Sequence, residues 1–278
     1  MTKQNIFEIL KNIYNIEKEI DKIIKLCDSD CFEHNFQHST AEGVFDYVIL
    51  KDWKQRGTYL SCKEMLKDIK EYIKDYNIPD NEACLLKLEY YANILQQIEF
   101  NLHFIYSKTL LRATNSFELA IENLDYLLEK LNYEKLIISE EEKVLLVPKK
   151  PESTAVAEIS SEDTALAILM YNHGSLKGDV TEKRKLLYQI SLEYETLLKN
   201  PIEGYNDFFN KTNQLLNNLH IRHDNKTKDG NKNNVIEIDD KELENWYDEL
   251  YQLLLFCVLI HDNLERKNRV ADFLKNIK

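Results

Sequence analysis

Apolar residues recur along this chain at the three- and four-residue spacing of amphipathic helices. Ile6, Ile9, Leu10 and Ile13 form such a stripe at the start of a predicted helix over 4–26. A polar segment follows, and the helical pattern then resumes and continues to the last residues of the chain. The periodicity therefore predicts an all-α protein.

Helix start signals divide this pattern into elements. A Ser or Asp followed three residues later by Glu is a capping box, in which the first side chain accepts a hydrogen bond from a backbone N–H of the first helical turn. The chain contains the pairs Ser39–Glu42, Ser61–Glu64, Asp179–Glu182 and Asp239–Glu242. They predict helices near 40–56, 62–76, 180–199 and 239–276.

The segment 81–131 contains neither Gly nor Pro. As one helix it would be roughly 75 Å long at 1.5 Å per residue, which is too long for an ordinary domain. Asn115 followed by Glu118 is typical of a new helix start. We therefore expect a break near 113–116.

The pattern changes near 135–148, where LIIS and KVLLVP flank three glutamates. Short apolar runs of this kind predict a β-hairpin or two extended segments. Pro148 and Pro151 then suggest a linker over 149–160. The predicted organisation is a helical N-terminal domain at 1–148, this linker, and a C-terminal four-helix bundle at 161–278. Its helices are expected at 161–172, 180–199, 203–220 and 239–276.

Composition narrows the class of protein further. Only 6 Gly and 4 Pro occur in 278 residues, which excludes turn-rich β-sandwiches and glycine-dependent nucleotide folds. The longest apolar run, 253–260, is too short to span a membrane. Five irregularly spaced cysteines are typical of a reducing compartment, so we expect a cytoplasmic location and no membrane contact.

The most distinctive local string is LHIRHDN, where the third C-terminal helix ends. It contains His220, Arg222, His223, Asp224 and Asn225 within six residues. Arginine can hold a phosphate through two parallel hydrogen bonds, and histidine transfers protons near neutral pH. Between 222 and 232 four basic residues stand against two acidic ones, in a chain of net charge -12. These residue types are those that RNA cleavage requires.

A purely structural interpretation accounts for the same string. Arg and His at a helix C-terminus complement the helix dipole and bind its last carbonyl groups. Asp and Asn directly beyond are common turn residues. Arg222 would then pair with Asp239, Asp240 or Glu242 at the start of the last helix.

A helical C-terminal bundle with an Arg- and His-bearing string before its last helix resembles the HEPN superfamily, over about residues 161–278. The superfamily motif is an Arg, a polar residue and a closing His. Arg222 and His223 match its start, but 227–229 are Thr, Lys and Asp. The closing role would fall to His220, His223 or His261. The resemblance implies a metal-independent ribonuclease of bacterial anti-phage (abortive-infection) defence that acts as a dimer.

Two classes of function therefore compete. In the first, Arg222 holds the scissile phosphate, His220 or His223 carries the proton, and Asp224 and Asn225 orient it; residues 1–148 sense a trigger or bind a partner. In the second, the chain is a non-catalytic immunity, antitoxin-like or scaffold protein that binds another protein through an acidic helical face. The expected partners are RNA in the first case and a protein or second copy in both.

We expect no cofactor and no metal ion. Cys27, Cys31, His34 and His38 have the residue types of a zinc site, but on one unbroken helix the outer two would lie about 16 Å apart. A zinc site would need a break between 28 and 36. The favoured interpretation is a helix end followed by a polar linker.

Overall fold

Helices make up most of the described chain, which confirms the all-α prediction. The computed structural model describes residues 15–35, 37–200, 202–222 and 238–277. The chain divides into two units, Met1–Leu146 and Val147–Lys278, each with its own hydrophobic core. Of the predicted first helix, the part before residue 15 lies outside the described residues.

Six helices build the first unit in its described part. They are α1 (Ile16–Cys27), α2 (Ala41–Val44), α3 (Cys62–Asp75), α4 (Asp80–Phe100), α5 (Leu102–Thr109) and α6 (Asn115–Leu131). Two predictions differ from the structure here. The helix expected over 40–56 continues beyond α2 as a π turn at Phe45–Ile49 and a 3-10 turn at Leu50–Asp52. The segment 81–131, for which one break near 113–116 was expected, also breaks at Asn101, between α4 and α5. The wider π turn places Phe45, Val48 and Ile49 together in the core.

Three of the four predicted capping boxes supply the N-cap. Ser61, Asp179 and Asp239 each accept a hydrogen bond from the N–H of the glutamate three residues on. At the remaining helix the prediction is wrong by one residue. Thr40 caps α2 by accepting from the Gly43 N–H, because Ser39 belongs to a β-strand.

The polar segment after α1 forms a small sheet that the sequence pattern did not predict. Strands β1 (Phe32–His34), β2 (Gln37–Ser39) and β3 (Arg112–Ala113) pair antiparallel in the order β2-β1-β3. Thr114 anchors the break between α5 and α6, since its hydroxyl donates to the Asp30 carbonyl and its N–H to that of Cys31. The predicted break near 113–116 is confirmed.

The predicted hairpin near 135–148 is also confirmed, as strands β4 (Tyr133–Ile138) and β5 (Lys143–Pro148). Side chains one turn apart on α4 bind the backbone at the edge of β5 and in the turn before it. The hydrogen bonds join Glu89 to Leu146 N–H, Asn93 to both the N–H and the carbonyl of Val144, and Gln97 to the Glu142 carbonyl.

The second unit contains the four long segments that the periodicity predicts, with additions. Its helices are α7 (Pro151–Ala157), α8 (Glu162–Met170), α9 (Val180–Glu193), α10 (Glu195–Lys199), α11 (Asn206–Asn218) and α12 (Asp240–Asn276). The helix expected over 180–199 is interrupted at Tyr194 and so becomes α9 and α10. Apolar side chains from all six helices form one buried cluster.

The prediction of a linker over 149–160 is wrong, because helix α7 occupies much of this segment. Val156 of α7 is fully buried in the second core, and the buried Ser153 hydroxyl hydrogen-bonds that of Tyr251. Pro151 does not mark a linker, because it occupies the first turn of α7, where the missing N–H costs no intrahelical bond. The boundary between the units consequently falls between residues 146 and 147.

Within the described ranges, no helix combines the length and the apolar character that crossing a bilayer requires. All five cysteines are free and buried. They serve as small apolar core residues.

Candidate functional site

The Arg/His string begins as the C-terminal cap of α11. His220 and Arg222 are described, whereas His223, Asp224 and Asn225 lie outside the described residues. The His220 N–H donates to the Asn217 carbonyl, and the Ile221 N–H donates to that of Leu216. This pair of bonds is a Schellman motif, and its usual apolar contact is supplied by Ile221 and Leu216, both buried.

His220 occupies the left-handed position of this motif, where glycine is usual. Its φ is 57°, a conformation that costs side chains other than glycine free energy. Both of its ring nitrogens are buried, and neither has a hydrogen-bond partner among the described residues. Buried polar atoms in folded proteins nearly always have partners, so His220 departs from the general rule in both backbone and side chain.

Arg222 is held at one end only. Its Nη1 donates to Asn213 Oδ1 at 2.9 Å, while its buried Nη2 has no partner in the described part of the chain. Burial lowers the pKa of the guanidinium, and the nearby negative charge of Glu195 opposes that shift. Among the described residues, one nitrogen of the partly buried Arg222 and both ring nitrogens of His220, two positions earlier in the chain, therefore have no partner.

Two further side chains hold the same turn in place. Arg184 of α9 donates from Nε to the His220 carbonyl at 2.6 Å, and Tyr247 of α12 donates to the Leu219 carbonyl at 3.3 Å. The sequence did not place Asn213, Arg184 or Tyr247 at this site. They lie on three different helices, and only the tertiary structure brings them together.

His261 cannot complete this site within one chain. Helices α11 and α12 run antiparallel, since Phe208 near the start of α11 contacts Phe256 edge-on, while Leu219 beyond the end of α11 accepts from Tyr247, earlier on α12. His261 lies about 21 Å along α12 from Tyr247, at the end away from Arg222. Its closest charged partner is Glu265, at 3.7 Å.

The structural alternative is correct in part. The string does cap a helix, as that interpretation requires. Arg222, however, donates to Asn213 rather than to the start of α12, where Asp239 is engaged as N-cap of its own helix. Capping accounts for the backbone of this turn but not for the three buried nitrogens that have no partner among the described residues.

The structure does not assemble the zinc alternative. The Cys31 thiol donates to the Leu26 carbonyl, and burial raises its pKa to about 11 and that of Cys27 further. Because positions alternate along β1 and β2, His34 and His38 lie on opposite faces of the hairpin. Among the described residues no group of three or more His, Cys, Asp or Glu side chains is placed to hold a metal ion.

An ion cluster around the buried Lys183 ammonium in the same unit has a structural role. The Lys183 ammonium bonds Glu244 at 2.8 Å and Asp248 at 2.7 Å, and Asp248 also accepts from the Tyr171 hydroxyl. Desolvation raises the pKa of Glu244, but hydrogen bonds from Lys183 and from the Gly178 N–H outweigh it and lower the pKa. Since these charges satisfy one another, the cluster ties α9 to α12.

Comparison with known proteins gives no relative for this chain. No family model, curated protein or solved structure matches it significantly.

Proposed function

We propose that the second unit is a metal-independent RNA-cleaving effector of the HEPN type, in which Arg222 binds phosphate and His220 transfers a proton. The observation that supports it is the set of three buried nitrogens on His220 and Arg222 that have no hydrogen-bond partner in the described part of the chain. A phosphate oxygen is a strong acceptor for the free arm of an arginine whose other arm is already fixed. An imidazole next to it is suited to proton transfer.

The chemistry is an intramolecular displacement at phosphorus. A neutral histidine accepts the proton of the ribose 2′-hydroxyl, whose oxygen then bonds to phosphorus. The bond to the 5′-oxygen breaks, and a protonated histidine supplies a proton to that leaving oxygen. Arg222 stabilises the charge that develops on the other phosphate oxygens. His220 and His223 provide the base and the acid, and Asp224 and Asn225 orient them.

Because these nitrogens are buried, a trigger must expose them before the site can act. Atoms with almost no access to solvent reach a substrate only after the turn at 219–222 rearranges. We propose that the chain is a bacterial anti-phage protein of the cytoplasm. Its first unit would sense the trigger, or bind the partner, that causes this rearrangement of the turn.

The test compares RNA in bacteria that produce the wild type, Arg222→Ala, His223→Ala or His220→Gly and are infected with phage to supply the trigger. Wild type is expected to fragment total RNA or tRNA, and each variant to reduce the fragmentation at least tenfold. The RNA fragments from the wild-type strain should end in 2′,3′-cyclic phosphate. His220→Gly is the sharpest variant, since glycine keeps the left-handed turn and removes only the ring.

Arg266→Ala is the matched control, because Arg266 is an exposed arginine of the same unit that pairs with Asp262. It should cleave as wild type does. Intact RNA in all strains, at equal soluble expression, would contradict the proposed nuclease activity. A protein-binding module would then be the remaining candidate.

The second candidate, a protein-binding module, is favoured by the end of α12. Val270, Phe273 and Leu274 lie at i, i+3 and i+4 on this helix, Ile277 follows at i+7 as its C-cap, and all four are exposed. An apolar stripe of this kind is typical of a helix that binds another surface. The test is affinity capture with wild type and Phe273→Glu, Leu274→Glu. Loss of one stoichiometric partner protein in the variant, with RNA intact throughout, would establish this function.

A further inference from the structure

Helix α5 and the residues on either side of it form a surface without acidic residues in an otherwise acidic chain. The segment 100–117 is the longest of the sequence that contains neither Asp nor Glu, although the chain has a net charge of -12. Phe100, Phe104 and Tyr106 of this segment all expose their rings. Large apolar side chains that are exposed in one place indicate a binding surface.

Two basic side chains of this segment contact rings instead of carboxylates. Lys108 Nζ lies 5.4 Å from the centre of the Phe104 ring, and the Arg112 guanidinium lies 5.3 Å from that of Tyr106. Glu33 is the partner of Arg112 in the register of β1 and β3. Within the described ranges, however, neither Lys108 nor Arg112 forms a salt bridge. Both positive charges therefore remain available to an anionic ligand.

A cleft of about 270 Å³ adjoins this surface, and Phe100 and Phe104 line it. Its volume is slightly below the roughly 300–1,000 Å³ of sites for drug-sized ligands, so it suits a smaller group such as one nucleobase. Asp52 and Glu142 also line the cleft, whereas Lys108 does not. Carboxylates accept hydrogen bonds from the amino group of cytosine. The negative charges thus lie where an uncharged base would be, and the positive charge of Lys108 lies beside the cleft.

Rings, available cations and a cleft of this size match the chemistry of a single-stranded nucleic acid. Proteins that bind single strands place basic side chains along the phosphates and aromatic side chains against unstacked bases. A duplex offers the phosphates but keeps its bases paired. An acidic peptide offers negative charge without bases. Only a single strand uses all three features.

We infer that helix α5 and the adjoining cleft bind a single-stranded nucleic acid. Its phosphates contact Lys108 and Arg112, and a base that carries an amino group enters the cleft. This binding belongs to the first unit and does not depend on the nuclease activity proposed for the second. Its use as the trigger of that activity rests on the proposed function.

The test measures the fluorescence anisotropy of a labelled, unstructured strand of about 12 nucleotides, made as RNA and as DNA. The full chain carries Arg222→Ala, so that RNA stays intact whether or not the wild type is a nuclease. Binding in the micromolar range is expected, and the tighter strand identifies the source of the ligand. A duplex of the same length should bind at least tenfold more weakly. Equal binding of the duplex, or no binding of either strand by about 100 μM protein, overturns the inference.

Two kinds of variant separate the cations from the rings. Lys108→Gln with Arg112→Gln removes two phosphate contacts, so the dependence of log affinity on log salt should become shallower by about 1.4. Phe104→Leu should weaken binding about tenfold without changing that slope, because the ring carries no charge. Phe104→Tyr keeps a ring and should bind as the parent protein does. All three positions are exposed, so these changes do not threaten the fold. Unchanged affinity in both Phe104→Leu and the double variant overturns the assignment.

Tyr126 and Lys130 on α6 provide the matched control. Lys130 Nζ lies 5.1 Å from the centre of the Tyr126 ring, and Tyr126 is exposed, so the pair resembles that of Phe104 and Lys108. Acidic residues accompany it in the sequence at 122, 125 and 129. Lys130→Gln with Tyr126→Leu should therefore leave binding unchanged. A loss as large as that of the α5 variants would show a general effect of charge and contradict a site at α5.

A final arm tests the cleft and the class of partner. A strand of cytidines should bind more tightly than one of uridines, because uracil has no amino group to donate to the carboxylates of the cleft. Polyglutamate supplies negative charge alone and should not displace the strand. Uridines bound as tightly as cytidines, or displacement by polyglutamate at an equal concentration of charge, would overturn the inference.

Discussion

His220 holds a backbone conformation that side chains other than glycine rarely adopt. Glycine at this position removes the conformational cost, while alanine keeps it and loses the contacts of the ring. We expect His220→Gly to be more stable than His220→Ala by about 1 kcal/mol. Urea unfolding followed by Trp246 fluorescence measures the difference.

The same two variants distinguish a helix-capping role of His220 from a role in RNA cleavage. If the string served only as a helix cap, His220→Gly would have no effect on RNA. Equal stability of the two variants would show instead that residue 220 does not need the left-handed conformation.

At the residue scale, the sequence allowed part of the site to be predicted. The residue types of the string pointed to Arg222 and His220 as candidates, because few other segments concentrate Arg and His. Asn213 and Arg184 gave no comparable signal, since Asn and Arg are ordinary on exposed helix faces. Their role follows from the geometry that folding gives the end of α11.

At the scale of elements, α4 acts as a partner for strand β5 through Glu89, Asn93 and Gln97. Asn93→Ala leaves the N–H and the carbonyl of Val144 without these partners, so we expect a loss of about 2 kcal/mol. Asn81→Ala changes an exposed residue in the first turn of the same helix and should cost less than about 0.5 kcal/mol. Chemical unfolding followed by Trp53 fluorescence provides the comparison. Equal losses of unfolding free energy in the two variants would show that the hydrogen bonds between Asn93 and Val144 do not stabilise the unit.

The Lys183 cluster makes the second unit sensitive to acid. The pKa of Glu244 is lowered below its ordinary value of 4.5, so the unfolded state takes up the proton first as the pH falls. This contribution to stability is complete above pH 4.5 and is lost as the pH falls through the folded-state pKa. We expect the unfolding free energy, measured by urea titration between pH 7 and 3.5, to decline below about pH 4.5.

Lys183→Met tests the origin of that decline. Without the ammonium, the burial of Glu244 remains and its principal donor is gone, so its pKa rises. We expect a loss of about 2–3 kcal/mol at pH 7, since Asp248 is partly exposed, and a decline that begins at higher pH. A pH profile parallel to that of wild type would exclude this cluster as its cause.

At the scale of the whole molecule, two separate cores predict two folding units. Each contains one tryptophan, Trp53 in the first and Trp246 in the second. Residues 1–146 and 147–278 produced separately should each unfold cooperatively. In the full chain, Trp53→Phe and Trp246→Phe should report different midpoints. Coincident midpoints, with neither piece folding alone, would contradict the division.

The sequence by itself determined most of the helices, three of their N-caps, the hairpin and the approximate division in two. These features depend on the period of apolar residues and on side-chain contacts within one helical turn, both of which are local. The three-stranded sheet and helix α7 escaped because their polar or proline-bearing segments are held by distant parts of the chain, through strand β3 for the sheet and through the second core for α7. The tertiary structure alone decided the surroundings of Arg222 and the ion cluster of Lys183. Each joins residues from different helices, and no local pattern encodes which helices meet.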